Sequence, residues 1–199
     1  MPRFNKKKWN KNLTQKSHNC YSYMLDKVNK KYVKICKKYK KKTRKNCNFL
    51  KAQPGLYAGM EDVRRERYTC NLLNRRVLAD NKNMFTTKNK CPKAYYKGML
   101  FLHPKNTYHF YRQDDDCTWS HKEGLDNSTR RDSKRKFIYD PKKANRKYNS
   151  TKKEMGVYYS KYCNTYCIPK SKIKKHFSAF KRNSTKKRRK KRSKKRRKK

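Results

Sequence analysis

Apolar positions recur at helical spacing over residues 19–36, where Tyr21, Met24, Val28, Tyr32 and Ile35 share a face and lysines occupy the others. Asn19 or Ser17 can supply the N-cap. The stretch "KKYKKKTRKN" (37–46) predicts a basic loop or a frayed helix end. "QPGLYAG" (53–59) predicts a turn, with Pro54 presetting φ and glycines beside it. A second helix is predicted over about 61–79. Val63, Cys70, Leu73 and Val77 form its face, and Glu61 and Asp62 suit its positive N-terminal end.

The period then changes. "YYKGMLFL" (95–102) is a short apolar run suited to a buried strand, and "TYHFYRQ" (107–113) alternates. Tyr108, Phe110 and Arg112 fall on one face of that strand, and His109, Tyr111 and Gln113 on the other. "TWSHK" (118–122) returns as a third strand after "DDDC", "KFIYD" (136–140) reads as a fourth, and "GVYYSKYCNTYC" (156–167) as a fifth strand or a short helix. Helices ahead of a run of antiparallel strands define an α+β chain, with N-terminal helices packed on an antiparallel sheet. The expected organisation is a basic, Asn-rich arm at 1–16, one α+β domain at 17–168 and a basic tail at 169–199, both ends being disordered.

Charge sharpens this picture. The 199 residues carry 62 Lys and Arg against 13 Asp and Glu, a formal net charge of +49. Such a balance points to polyanionic partners, nucleic acid before an anionic membrane surface. Heavy use of Lys, Asn and Tyr also fits AT-rich coding, but the C-terminus is dense in Arg as well. From Lys186 to Lys199 every residue but Ser193 is basic: Lys186, Lys187, Arg188, Arg189, Lys190, Lys191, Arg192, Lys194, Lys195, Arg196, Arg197, Lys198 and Lys199. A segment of this kind binds phosphate backbones by counterion release and has the composition of a nuclear-localisation signal. Apolar residues make up only 33 %, but 16 Tyr, 8 Phe and 2 Trp can fill a small core. No apolar run is long enough to span a membrane, and the N-terminus has no apolar signal core, so an intracellular, non-secreted protein is expected. The eight cysteines, with no C-x-x-C, are then expected to be reduced.

Cys20 is the first candidate for chemistry. At the first turn of a helix its sulfur would lie near free backbone N–H groups and the positive dipole end, which favours thiolate. A reactive Cys also needs a base, and His109 and His121 are the candidates, His109 first. If Gln113 pairs with Thr118, the two histidines point to opposite faces. A three-residue turn instead sets Tyr111 opposite His121, with both on one face. Cys163 and Cys167 could join Cys91 or Cys117 around zinc, but structural zinc needs paired short spacings and only this pair exists. No metal and no cofactor is expected. Asp114, Asp115 and Asp116 read as a turn that neutralises nearby lysines.

The series "NCYSYML", "QPGLYAG", "YYKGMLFLHP", "TYHFYRQDDDCTWSHKEG" and "FIYDP" resembles an uncharacterised family of bacteria and large DNA viruses that is similar to papain-like cysteine hydrolases. The resemblance covers about residues 17–168, and "YHFYRQD…WSHK" is its most distinctive part. It implies a papain-like arrangement, Cys20 at the nucleophile position, His109 as base, and His121 or Gln113 as orienter or oxyanion donor. The chain departs from many papain-like domains in having no His in "YYKGM", at the start of its first core strand.

The sequence thus leads to a strongly basic, viral, nucleic-acid-associating protein on a papain-like domain with an inactive thiol site. The tail would hold the polyanion, within the infected cell or the virion. Two alternatives stand beside it: an active hydrolase of peptide or other acyl bonds using Cys20 and His109, and a structural virion component without activity.

Overall fold

A computed structural model of the chain describes residues 1–148 and 156–170. The expected tail lies outside the described residues beyond Lys170.

The N-terminal segment is not the loose arm expected from its composition. It forms helices α1 (Lys6–Trp9) and α2 (Asn12–Ser17), and Trp9 is wholly buried. The segment is tied down at both ends: the Asp115 N–H donates to the Pro2 carbonyl, and the Asn10 side-chain Oδ1 accepts from the Ser128 N–H and hydroxyl, both at 2.8 Å. An aromatic anchor and these bonds outweigh the local excess of charge.

The helix expected over 19–36 is two helices. Asn19 caps α3 (Cys20–Met24) as expected, accepting from the Ser22 N–H. The chain then turns at Asp26, whose φ of 50° lies in the left-handed region that Asp tolerates better than most residues. Distant groups hold it there: Lys8 Nζ at 2.7 Å, Arg112 at 2.9 Å and the Trp9 indole N–H at 3.3 Å all donate to its carboxylate. Asn29 then caps α4 (Lys30–Thr43), which takes in most of the stretch expected as a basic loop or a frayed helix end, the helix end being what forms. The other predicted helix starts later, as α5 (Cys70–Asp80), because Thr69 caps it. Asp80 at its end accepts from the Gly55 and Ala58 N–H groups and from the Tyr21 hydroxyl, so the 53–59 turn is fastened to both α3 and α5.

The strands are β1 (Phe85–Thr86), β2 (Tyr95–His103), β3 (Thr107–Gln113), β4 (Trp119–Lys122), β5 (Ser128–Thr129), β6 (Lys147–Tyr148), β7 (Val157–Tyr158) and β8 (Lys161–Pro169). Six form an antiparallel sheet in the order β1-β8-β2-β3-β4-β5, and β6 pairs with β7. The α+β class holds. The expected strand at 136–140 is reduced to one bridge between Arg131 and Phe137.

Each face of the sheet has its own core. On the helical face, Cys20, Tyr21 and Met24 of α3 and Leu73 and Val77 of α5 pack on Leu100, Tyr108, Phe110, Tyr166 and Ile168. Contact is close enough that a Cβ on Gly98 would stand 2.7 Å from Met24 Sδ and 2.8 Å from Ile168 Cδ1. On the other face Met99, Phe101, Tyr111, Trp119, Ile138 and Tyr159 pack together. A third cluster, with Tyr32, Cys36, Cys47 and Leu50, joins α4 to α2.

The expectation of eight reduced cysteines is corrected. Disulfides join Cys36 to Cys47, Cys70 to Cys163 and Cys91 to Cys167, while Cys20 and Cys117 are free. Two of the pairs span 93 and 76 residues of sequence, so no spacing rule could reveal them. Both anchor β8, one to α5 and one to the segment before β2. Cys163 and Cys167, the residues considered for zinc, are thereby consumed.

Candidate functional site

Cys20 opens α3, which lies on β3 and β4. Asn19, besides capping, donates from Nδ2 to the Ala52 carbonyl at 2.8 Å and so fixes the entry to the helix. The thiol is buried, and burial pushes its pKa up to about 11, against the weaker opposing pull of the Phe110 backbone, Lys122 and Lys51. The expected thiolate is therefore not favoured. α3 has five residues, too few for a large dipole, and removal from water dominates.

The two histidines lie on the other side of the sheet. Tyr111 pairs with His121 and Gln113 with Trp119, the register of the three-residue turn, so both imidazoles share a face. His109 alternates with Tyr108 and Phe110, which meet the Cys20 core, and its ring stacks on Tyr159 at 4.9 Å. His121 Nε2–H donates to the Arg131 carbonyl at 3.0 Å, leaving its Nδ1 to accept from His109 Nε2–H at 2.8 Å. Burial lowers both pKa values, that of His121 to about 4. Among the described residues no hydrogen bond joins Cys20 to either histidine. Gln113 is four residues along β3 from His109, about 13 Å away, beyond reach as its orienter. The structure brings His109 and His121 together and leaves Cys20 and Gln113 apart from them.

Two lysines, Lys122 and Lys51, act electrostatically on the thiol. Lys122 has a completely buried side chain whose ammonium donates to the Gly124 carbonyl at 2.7 Å. Burial drives its pKa down to about 7, only partly opposed by Cys20. The sequence holds no hint of this residue's burial beyond its parity: Ser120 and Lys122 alternate with Trp119 and His121, so they face α3. Another buried group that sequence reasoning passed over is His18. Its Nε2 accepts from the Asn29 N–H at 2.8 Å, and its Nδ1 lies near Ser17 Oγ and the Thr14 carbonyl. A proton on Nε2 would face that N–H, and burial already depresses the pKa to about 4. This histidine locks the start of α4 to the end of α2.

The acidic residues are largely engaged internally. Asp114 is fully buried between Arg112 at 3.0 Å and Arg130 at 3.4 Å, Asp116 binds Arg130 at 2.8 Å, and Asp115 binds Arg3 at 3.3 Å. The "DDD" turn neutralises arginines rather than lysines. Among the described residues no group of three or more His, Cys, Asp or Glu side chains is placed to hold a metal.

α4 shows the opposite balance. Tyr32 and Cys36 are buried, and Lys30, Lys31, Lys34, Lys37, Lys38, Lys41 and Lys42 are exposed on the remaining faces. No acid occurs between Asp26 and Glu61, and among the described ion pairs none involves these lysines. The result is a basic ridge about 21 Å long, held rigid by the third core cluster and the Cys36–Cys47 disulfide. Comparison with known proteins returned nothing that would name the site: no family model, no curated protein and no solved structure matches the chain. No described helix is long and apolar enough to cross a membrane.

Proposed function

We propose that this is a non-enzymatic, polyanion-binding protein that associates with nucleic acid through α4 and the Lys186–Lys199 tail. The observation that carries the reading is the α4 ridge: seven exposed lysines on a disulfide-pinned helix, without acidic partners among the described ion pairs. A duplex or single strand laid against it would release counterions for each phosphate neutralised. The scaffold is read as papain-like by ancestry, with Cys20 at the head of a helix on an antiparallel sheet. Cys20 is not read as a hydrolytic nucleophile, because the thiol is protonated at neutral pH and the His109–His121 pair faces elsewhere. Three disulfides favour an oxidising setting over the reducing cytosol, and an assembled virion is one such setting.

The test is binding of a DNA duplex to the full chain at several salt concentrations. With Lys34, Lys37, Lys38 and Lys41 replaced by Gln, the slope of log affinity against log salt should become shallower by about 3 to 4, near 0.9 for each phosphate no longer neutralised. Deleting Lys186–Lys199 should flatten it further. Slopes unchanged by both alterations would overturn the reading.

A further inference from the structure

A cleft of about 550 Å³ opens between the N-terminal segment and the end of the sheet, within the usual range for ligand sites of about 300–1,000 Å³. Its wall carries two aromatic rings, each with a guanidinium against it: Arg130 lies 4.7 Å from the centre of the Phe4 ring, and Arg131 lies 4.4 Å from that of Phe137. Arg130 is ion-paired with Asp114 at 3.4 Å and Asp116 at 2.8 Å, and Arg131 donates to the Arg135 carbonyl at 2.7 Å. Both platforms are therefore set before any ligand arrives. Phe137 is 46 % exposed, which leaves one side of its ring open to a ligand. Lys6 and Lys7 line the same cleft, are exposed, and take part in none of the described ion pairs. The cleft is rigid because Asn10 and Pro2 bind the N-terminal segment to β5 and to the β3–β4 turn.

We propose that this cleft binds single-stranded nucleic acid, stacking an unpaired base on the Phe4–Arg130 and Phe137–Arg131 platforms and seating the adjacent phosphate on Lys6 and Lys7. The inference rests on the polyanion reading and adds a strand preference to it. Lysines alone would not discriminate, since phosphate is common to every nucleic acid. Aromatic rings and guanidinium planes bind base faces, which a duplex keeps inside its own stack. The α4 ridge is a general phosphate surface, whereas this cleft selects a strand whose bases are free.

The experiment measures binding of the full chain to a fluorescent oligothymidylate and to a duplex of equal length. Phe137→Ala, at a half-exposed position, should weaken the single strand by about fivefold to a hundredfold and leave the duplex unchanged. Lys6→Gln with Lys7→Gln should weaken the single strand more than the duplex. Thymidine monophosphate should compete for the oligothymidylate at concentrations where inorganic phosphate does not. Equal losses for both nucleic acids, no loss with either variant, or equal competition by phosphate would each overturn the cleft assignment while leaving the α4 reading intact. Failure of the unaltered chain to bind either nucleic acid would overturn both.

Discussion

A thiol at a helix start ionises easily only when nearby charge outweighs the loss of water around it. Cys20 has Lys122 and Lys51 nearby, but full burial dominates and the thiol stays protonated at neutral pH. A maleimide probe at pH 7 should therefore label exposed Cys117 at least tenfold faster than Cys20, read by peptide mapping; equal rates would restore the case for a nucleophile. Lys122 carries the corresponding cost as a buried amine. Its folded pKa of about 7 lies below the ordinary 10.5, so between those values the unfolded chain holds a proton that the fold lacks. Stability from this group rises with pH across that window and is flat below it. In urea titrations at pH 7 and pH 9, the wild type should gain about 2 kcal/mol relative to Lys122→Met, whose side chain has no such proton. A constant difference between the two proteins would mean that Lys122 stays charged in the fold.

Among the elements, α4 and β8 owe their positions to covalent links as much as to packing. Cys36–Cys47 closes a short loop with a separation of 11, while Cys70–Cys163 closes one of 93. If restriction of the unfolded chain dominates, the longer loop contributes more, by about 2 kcal/mol. Replacing Cys70 and Cys163 by Ala should lower the urea midpoint further than replacing Cys36 and Cys47, despite the complete burial of the latter pair. The reverse order would show that packing around α4 outweighs loop entropy. The break between α3 and α4 is likewise a matter of context. The apolar period runs through Leu25 and Asp26 without interruption, but Lys8, Trp9 and Arg112 capture the Asp26 carboxylate and turn the chain.

At the scale of the whole molecule, a chain of net charge +49 folds by committing Asp26 and Asp114 to the buried Arg112 and leaving most of the described lysines, Lys122 apart, at least partly exposed. It also folds around neutral histidines. His18 and His121 have folded pKa values of about 4 against 6.5, so as pH falls from 6.5 to 4 the unfolded chain takes up protons that the fold refuses. Each costs up to about 3 kcal/mol of stability over that window, and His109 acts in the same direction. Glu123, raised to about 7, opposes them, gaining stability as pH falls from 7 towards 4.5. Burial raises the Asp80 and Asp114 carboxyls as well, and they act with Glu123. The three histidines together are the larger contribution, so thermal melts should show Tm falling below pH 6.5, and a flat profile would mean that these imidazoles are not locked neutral. Much of the architecture was legible in the chain. Strand alternation placed His109 with Tyr111 and against Phe110, Asn19 was readable as a cap, and the α+β order followed from the change of period, because these depend on neighbours within a few residues. Residue order alone was enough for the local elements, the two faces of β3 and the basic character. It took the folded chain to put the thiol and the imidazoles on opposite faces, to pair the cysteines, to bury Lys122 and to bring Phe4 against Arg130. Those outcomes depend on contacts between residues tens of positions apart, where desolvation and packing, rather than local pattern, set the energy.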